Sequence, residues 1–153
     1  MRKSNLILKE FENQLHIQDE DENEINQIIH KDKEISFCDD LGYIYKIQKN
    51  EILSEKRHDS ICTSIVYQNN DILSCGLDYQ LIYKNQKIKF NSLQQKSFNP
   101  PQAHRLSINP SLNRVACGLG NSKIAIIDLK SFQIIHYLEK HLYIVNQLWI
   151  LIF

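Results

Sequence analysis

Few residues in this chain are of a type and spacing that could do chemistry. His58 and Asp78 are of the types that could supply half of a nucleophilic triad, in which a carboxylate orients the ring and the ring takes a proton from Ser or Cys. No Gly-x-Ser-x-Gly elbow or comparable activated Ser or Cys accompanies them, so as a catalytic device the pair is half complete. Cys38, Cys62, Cys75 and Cys117 could ligate a soft metal, but no CxxC spacing brings two together. Small buried hydrophobes are the expected role of these thiols. The run Gly118-Leu119-Gly120-Asn121-Ser122-Lys123 looks like a phosphate-cradling loop but lacks the Gly-Lys-Ser/Thr ending, and a strand rather than a helix follows it. A hairpin turn is the expectation there. Catalytic, metal-binding and cofactor-binding residues are therefore all expected to be absent.

Composition narrows the partners. Eighteen Lys+Arg balance eighteen Asp+Glu, a formal net charge of zero. That removes the basic excess on which binding to nucleic acid or a membrane surface relies. The start carries only Leu6-Ile7-Leu8 before a charge, too little for a signal-peptide core, and no stretch reaches the roughly 18 apolar residues that span a bilayer. Reduced thiols in a cytoplasmic or nuclear protein are the expectation. The 23 Ile against 3 Val, together with 14 Asn and 12 Gln, read as a genomic codon bias rather than a functional one. With 153 residues the chain is long enough for a real core without disulfides or metal.

The elements that would position these residues come from a repeat. Ile35-Ser36-Phe37-Cys38, Ile72-Leu73-Ser74-Cys75 and Val115-Ala116-Cys117 are each a short apolar run ending at Cys, followed by a turn rich in Gly, Asp or Asn. A second series, Ile28, Ile65, Ile108 and Leu148, agrees on a period near 40 residues. Within a unit, Ile61 to Tyr67 is β-branched and aromatic, Asn69-Asn70-Asp71 makes a turn, and Lys123 to Leu129 and Phe132 to Leu138 are further strands. In the segment Lys123 to Leu129, Ile124 and Ile126 point to one face while Ala125, Ile127 and Leu129 point to the other. A strand apolar on both faces needs cover on both sides, which stacked four-stranded propeller blades supply and a two-sheet sandwich does not. Glu10 to Gln18 is a weak helical candidate, too short to outweigh the strand pattern.

At these residues the chain resembles the WD-repeat family, and that resemblance implies an all-β propeller. In the family a His opens each repeat, an Asp occupies the turn between the second and third strands, and Trp-Asp closes the third strand. His58 and Asp78 match the first two, and His104 and His141 open the next units. Arg57, Ala103 and Lys140 replace the family's Gly before the His, and Ile47-Gln48, Tyr83-Lys84 and Ile127-Asp128 stand at the Trp-Asp position. The resemblance makes His58–Asp78 a structural hydrogen bond within one blade. It covers about residues 4–138 and divides the chain into a partial blade at 1–20, blades at 21–57, 58–103 and 104–140, and the first strand of a further blade at 141–153. The second of these blades carries a long polar insertion at about 86–102, a first guess for a partner contact. About three complete blades with partial ones at both ends imply an open arc or incomplete ring, and the expectation for the tail is premature termination.

Function follows as an expectation. A non-enzymatic scaffold for protein–protein interaction comes first, with other proteins as partners and no nucleic acid, membrane, small-molecule substrate or cofactor. Some members of the family are substrate receptors of cullin-RING ubiquitin ligases. Their adaptor-binding Trp-Asp followed by Arg is missing from the matching positions here. A degenerate fragment without independent function is one alternative. A propeller hydrolase is another, disfavoured because Ile25-Asn26-Gln27-Ile28, Cys62-Thr63-Ser64-Ile65 and Leu106-Ser107-Ile108, the expected innermost strands, contain no carboxylate or His.

Overall fold

The computed structural model describes residues 6–11, 14–19, 23–49, 51–90 and 99–139. Expectations placed on His141 and the segment 141–153 lie outside these residues, as does 91–98 of the polar insertion.

Fourteen strands and no helix make up the described residues. The hairpin β1 (Leu6–Phe11) and β2 (Gln14–Asp19) forms a two-stranded sheet, so the weak helical signal over Glu10 to Gln18 gives way to antiparallel pairing. Three four-stranded meanders follow. The first sheet holds β3 (Ile25–Lys31), β4 (Glu34–Asp39), β5 (Tyr43–Gln48) and β6 (Glu51–Lys56). The middle sheet holds β7 (Cys62–Gln68), β8 (Asp71–Gly76), β9 (Gln80–Tyr83) and β10 (Gln86–Lys89). The third holds β11 (Ala103–Asn109), β12 (Arg114–Leu119), β13 (Ile124–Asp128) and β14 (Gln133–Leu138). Every pairing is antiparallel between consecutive strands, because tight turns leave no slack for a crossover. Several turns place Asp or Asn at positive φ, as at Asp32 (54°), Asn69 (56°) and Asn113 (50°), where a short polar side chain tolerates the left-handed region.

The sheets stack through their first strands, with β7 packed between β3 and β11. Both faces of the middle sheet are therefore covered. Ile65 and Ile72 point toward the first sheet and join Cys38, Ile44 and Cys62 in one buried cluster. Leu73, Cys75, Leu81 and Tyr83 point the other way and meet Val115, Cys117, Ala125, Ile127 and Phe132 of the third. The two-faced reading of Lys123 to Leu129 holds, since Ala125 and Ile127 enter that cluster while Ile124 packs with Ala116 on the opposite face. Each Leu or Ile so buried contributes about 1.5–3 kcal/mol, which lets an arc of thin sheets hold together. On the outer face of the first sheet Phe37 stacks on Tyr45 with ring centroids 4.7 Å apart.

Register corrects the cysteine alignment in the third unit. A β-bulge lies near the start of each first strand, at Asn26, Thr63 and His104. The residue after the bulge pairs with Cys38 in the first sheet and Cys75 in the middle one, but with Gly118 in the third. Cys117 is thus the counterpart of Ser74, and Leu106 rather than Ile108 is the counterpart of Ile65. One residue of offset moves a strand side chain to the other face, so Cys117 points back toward the middle sheet while Cys38 and Cys75 point forward.

Candidate interaction site

His58 lies in the connection between β6 and β7. The turn before β5 holds that connection, because Arg57 and His58 both donate backbone N–H bonds to the Gly42 carbonyl. Gly42 has φ +84°, and a Cβ there would lie 2.3 Å from the His58 carbonyl oxygen, so this turn accepts no side chain. The imidazole then lies over β8, where a Cβ on Gly76 would come within 2.9 Å of Nδ1.

Asp78, in the turn between β8 and β9, meets His58 Nδ1 at 2.9 and 3.0 Å through its two carboxylate oxygens. It also accepts the backbone N–H groups of Asp59 (3.1 Å) and Gln80 (3.2 Å). The second ring nitrogen, Nε2, is 2.9 Å from Ser74 Oγ in β8. A carboxylate only accepts, so Nδ1 carries the proton, and in the neutral ring Nε2 accepts from the Ser74 hydroxyl. Burial pushes the His58 pKa below its ordinary value, against the raising effect of Asp78, and keeps the ring neutral.

The structure brings His58 and Asp78 within hydrogen-bond distance and adds a serine that the sequence reading did not name. The order Ser–His–Asp reproduces a catalytic relay, yet His58 and Ser74 are both 0% exposed. Ser74 sits in mid-strand between Leu73 and Cys75 rather than on a strained elbow, so no substrate carbonyl reaches its oxygen. What the network does is tie the loop before β7 to β8 and to the turn after it. By register its serine position is Phe37 in the first sheet and Cys117 in the third, so neither sheet repeats it.

A second set of polar side chains joins one sheet to the next and was not anticipated. The bulged Asn26 donates through Nδ2 to the Cys62 carbonyl (3.1 Å), and the bulged Thr63 donates through Oγ1 to the Ala103 carbonyl (2.7 Å). In each case the acceptor is the residue just before the next bulge. The residue after each bulge supplies a bond in the opposite sense. Gln27 Oε1 accepts the Ile65 N–H (2.9 Å), and Ser64 Oγ accepts the Leu106 N–H (3.1 Å). Ser64 also donates to Gln27 Oε1 at 2.7 Å, so one buried hydroxyl touches all three sheets. The one signal in the sequence was a polar pair, Asn26-Gln27 and Thr63-Ser64, after the first apolar residue of an inner strand.

The same register corrects the expected inner strands. The third begins at Ala103 and includes His104, and β3 runs on to include His30. His104 lies within its strand at the bulge, where the middle sheet has Thr63 rather than His58. Its Nε2 is buried without a hydrogen-bond partner, and burial lowers its pKa.

The cysteines pair across the joints. Cys62 shares a thiol hydrogen bond with Cys38, which together with burial raises its pKa, and burial followed by a bond to Cys75 raises that of Cys117. All four are free and 0% exposed. Among the described residues no group of three or more His, Cys, Asp or Glu could hold a metal ion. At the end of the joint away from His58, a cleft of about 530 Å³ opens between the first and middle sheets over Glu34, Gln48 and Tyr67. Tyr67 Oη bonds Ser36 (2.7 Å) and Glu34 (2.9 Å), and burial pushes its pKa up to about 12.

Three four-stranded antiparallel sheets, stacked through their inner strands in an open arc, have the architecture of β-propeller blades, and the middle one carries a His–Asp tie between loop and turn. Comparison with curated proteins agrees. The chain is 26% identical over 167 aligned residues to a WD repeat-containing protein 53 homolog from Dictyostelium discoideum, a match covering 87% of this chain. The chain spans about 45% of that relative's length. This similarity supports the WD-repeat family, while no family model matches the chain.

Proposed function

We propose that this chain is a non-enzymatic scaffold that binds other proteins through its loops and blade rims. The observation that carries this reading is the sealing of Ser74, His58 and Asp78 inside the fold. The side chains best arranged for chemistry are spent on holding a blade together, which favours recognition over reaction. That burial is also what weighs against a propeller hydrolase. The WD-repeat relative supports protein partners in general. Residence in the cytoplasm or nucleus, where thiols stay reduced, belongs to the same proposal.

A receptor role in ubiquitin ligation is the finer form of the proposal, drawn from the family resemblance. The adaptor contact would have to form without Trp-Asp, since Ile47-Gln48, Tyr83-Lys84 and Ile127-Asp128 stand in its place. Two measurements on the purified chain test both levels. Cooperative thermal unfolding of a monodisperse β protein, followed by saturable binding to a captured partner, supports the scaffold. A chain that melts without cooperativity contradicts it and favours a fragment without independent function. Saturable binding to a purified cullin-RING adaptor supports the receptor role, and its absence removes that role while leaving the scaffold in place.

A further inference from the structure

The cleft between the first and middle sheets lies at the end of their joint away from His58, and the network that holds the middle blade does not use it. At about 530 Å³ it is within the range of roughly 300–1,000 Å³ usual for ligand sites. One wall is the segment Lys31 to Glu34, where β3 turns into β4. The other carries Tyr67 of β7 and Asn70 in the turn that follows. Lys31 spans the gap. Its ammonium donates to the Asn69 carbonyl and to Asn70 Oδ1 (3.2 Å), and lies 5.9 Å from the centre of the Tyr67 ring. These partners are all neutral, so the positive charge stays uncompensated. Glu34 faces Lys31 across the strands, but its charge is balanced by Lys46 at 3.6 Å, and it also accepts from the Tyr67 hydroxyl at 2.9 Å. Lys33 has no ion-pair partner among the described residues, and the exposed Asp32 beside it offsets only that second charge. Because Asn70 Oδ1 serves Lys31, its amide hydrogens are what it can offer a ligand.

We infer that this cleft docks an acidic segment of a partner protein, with a partner carboxylate on the Lys31 ammonium. The inference rests on the scaffold reading and gives it a site. A carboxylate is a stronger acceptor for an ammonium than the amide oxygens that Lys31 now uses, so the exchange is favourable. The Asn70 amide hydrogens and Lys33 supply further donors around it. A protein segment fits better than nucleic acid, because the chain has a net charge of zero and lacks the extended basic surface that follows a phosphate backbone.

Fluorescence polarisation of a short labelled oligoglutamate on the full chain tests this. Binding should saturate, weaken as salt rises and be absent for the oligoglutamine counterpart. Lys31→Gln should weaken it about tenfold, because that ammonium is partly buried and meets the carboxylate directly. Lys33→Glu should weaken it about fivefold and Asp32→Asn should tighten it about twofold, the sizes expected of exposed charges. Asn tolerates the positive φ of 54° at position 32, and neither exposed variant touches the bonds across the joint, so both remain informative if Lys31→Gln unfolds the chain. Lys89→Glu, an exposed charge reversal at the His58 end of the middle sheet, should leave binding unchanged. No saturable binding, equal binding of oligoglutamine, or equal weakening by Lys89→Glu would each overturn the assignment. So would an oligonucleotide of matched charge that binds as tightly. In every one of these cases partners can still bind other loops and rims, so the inference can fail while the scaffold proposal stands.

Discussion

Truncating Ser64 to alanine probes the polar joint at the centre of the arc. The hydroxyl is fully buried, donates to Gln27 Oε1 at 2.7 Å and accepts the Leu106 N–H at 3.1 Å. Gln27 keeps the Ile65 N–H after truncation, so that side of the joint loses little. Leu106 N–H keeps nothing, and Leu106 itself is buried. One lost net hydrogen bond together with one stranded buried donor costs about 2–3 kcal/mol. For a chain of this size that corresponds to a fall in Tm of roughly 5–10 °C. Urea unfolding followed by circular dichroism measures the loss, with Ser54→Ala on exposed β6 as the control expected to stay within about 0.5 kcal/mol. A Ser64→Ala protein indistinguishable from that control would refute the reasoning that this hydroxyl joins three blades.

Other outcomes follow from the His58 network. Asp78→Ala strands the imidazole and the N–H groups of Asp59 and Gln80, and should lower stability by about 2–4 kcal/mol; an unchanged Tm in a thermal melt would contradict the structural role. Gly42→Ala forces a side chain against the His58 carbonyl at positive φ, and urea titration should show a loss of at least about 2 kcal/mol. Stability should also depend on pH through His58. Its folded pKa lies below the unfolded 6.5, so the unfolded chain takes up the proton first. The contribution is full above that value and is lost as pH falls from there toward the lowered folded pKa. His104 is shifted in the same direction and adds to the slope. Tm measured from pH 7.5 down to 5.5 should therefore fall, and a flat or rising profile would show that His58 is charged in the fold.

Much of the fold was legible because propeller blades leave two marks on a sequence. Strands buried on both faces lose the polar alternation, as in Lys123 to Leu129, and repeated turns mark the period. His58 and Asp78 were legible because a family pattern fixes their places at a loop and a turn. Ser74 was not, because a lone Ser between Leu73 and Cys75 looks like any small core residue until its partner is seen. The joints were hidden for a different reason. A bulge adds one residue to a strand without altering its composition, so the matched roles of Asn26 and Thr63, and the matched place of His104, appear only once register is known. The same blind spot put Cys117 in line with Cys75, when register pairs the residue after the bulge with Gly118 instead.

The account turns on the relay-like arrangement being a staple and not an active site. Treatment of the native chain with a fluorophosphonate probe, followed by peptide mass mapping, tests that claim on the oxygen in question. The prediction is that Ser74 stays unlabelled in the folded protein. Stoichiometric labelling of Ser74 that disappears in His58→Ala would contradict it, because only an accessible and activated hydroxyl reacts in that way.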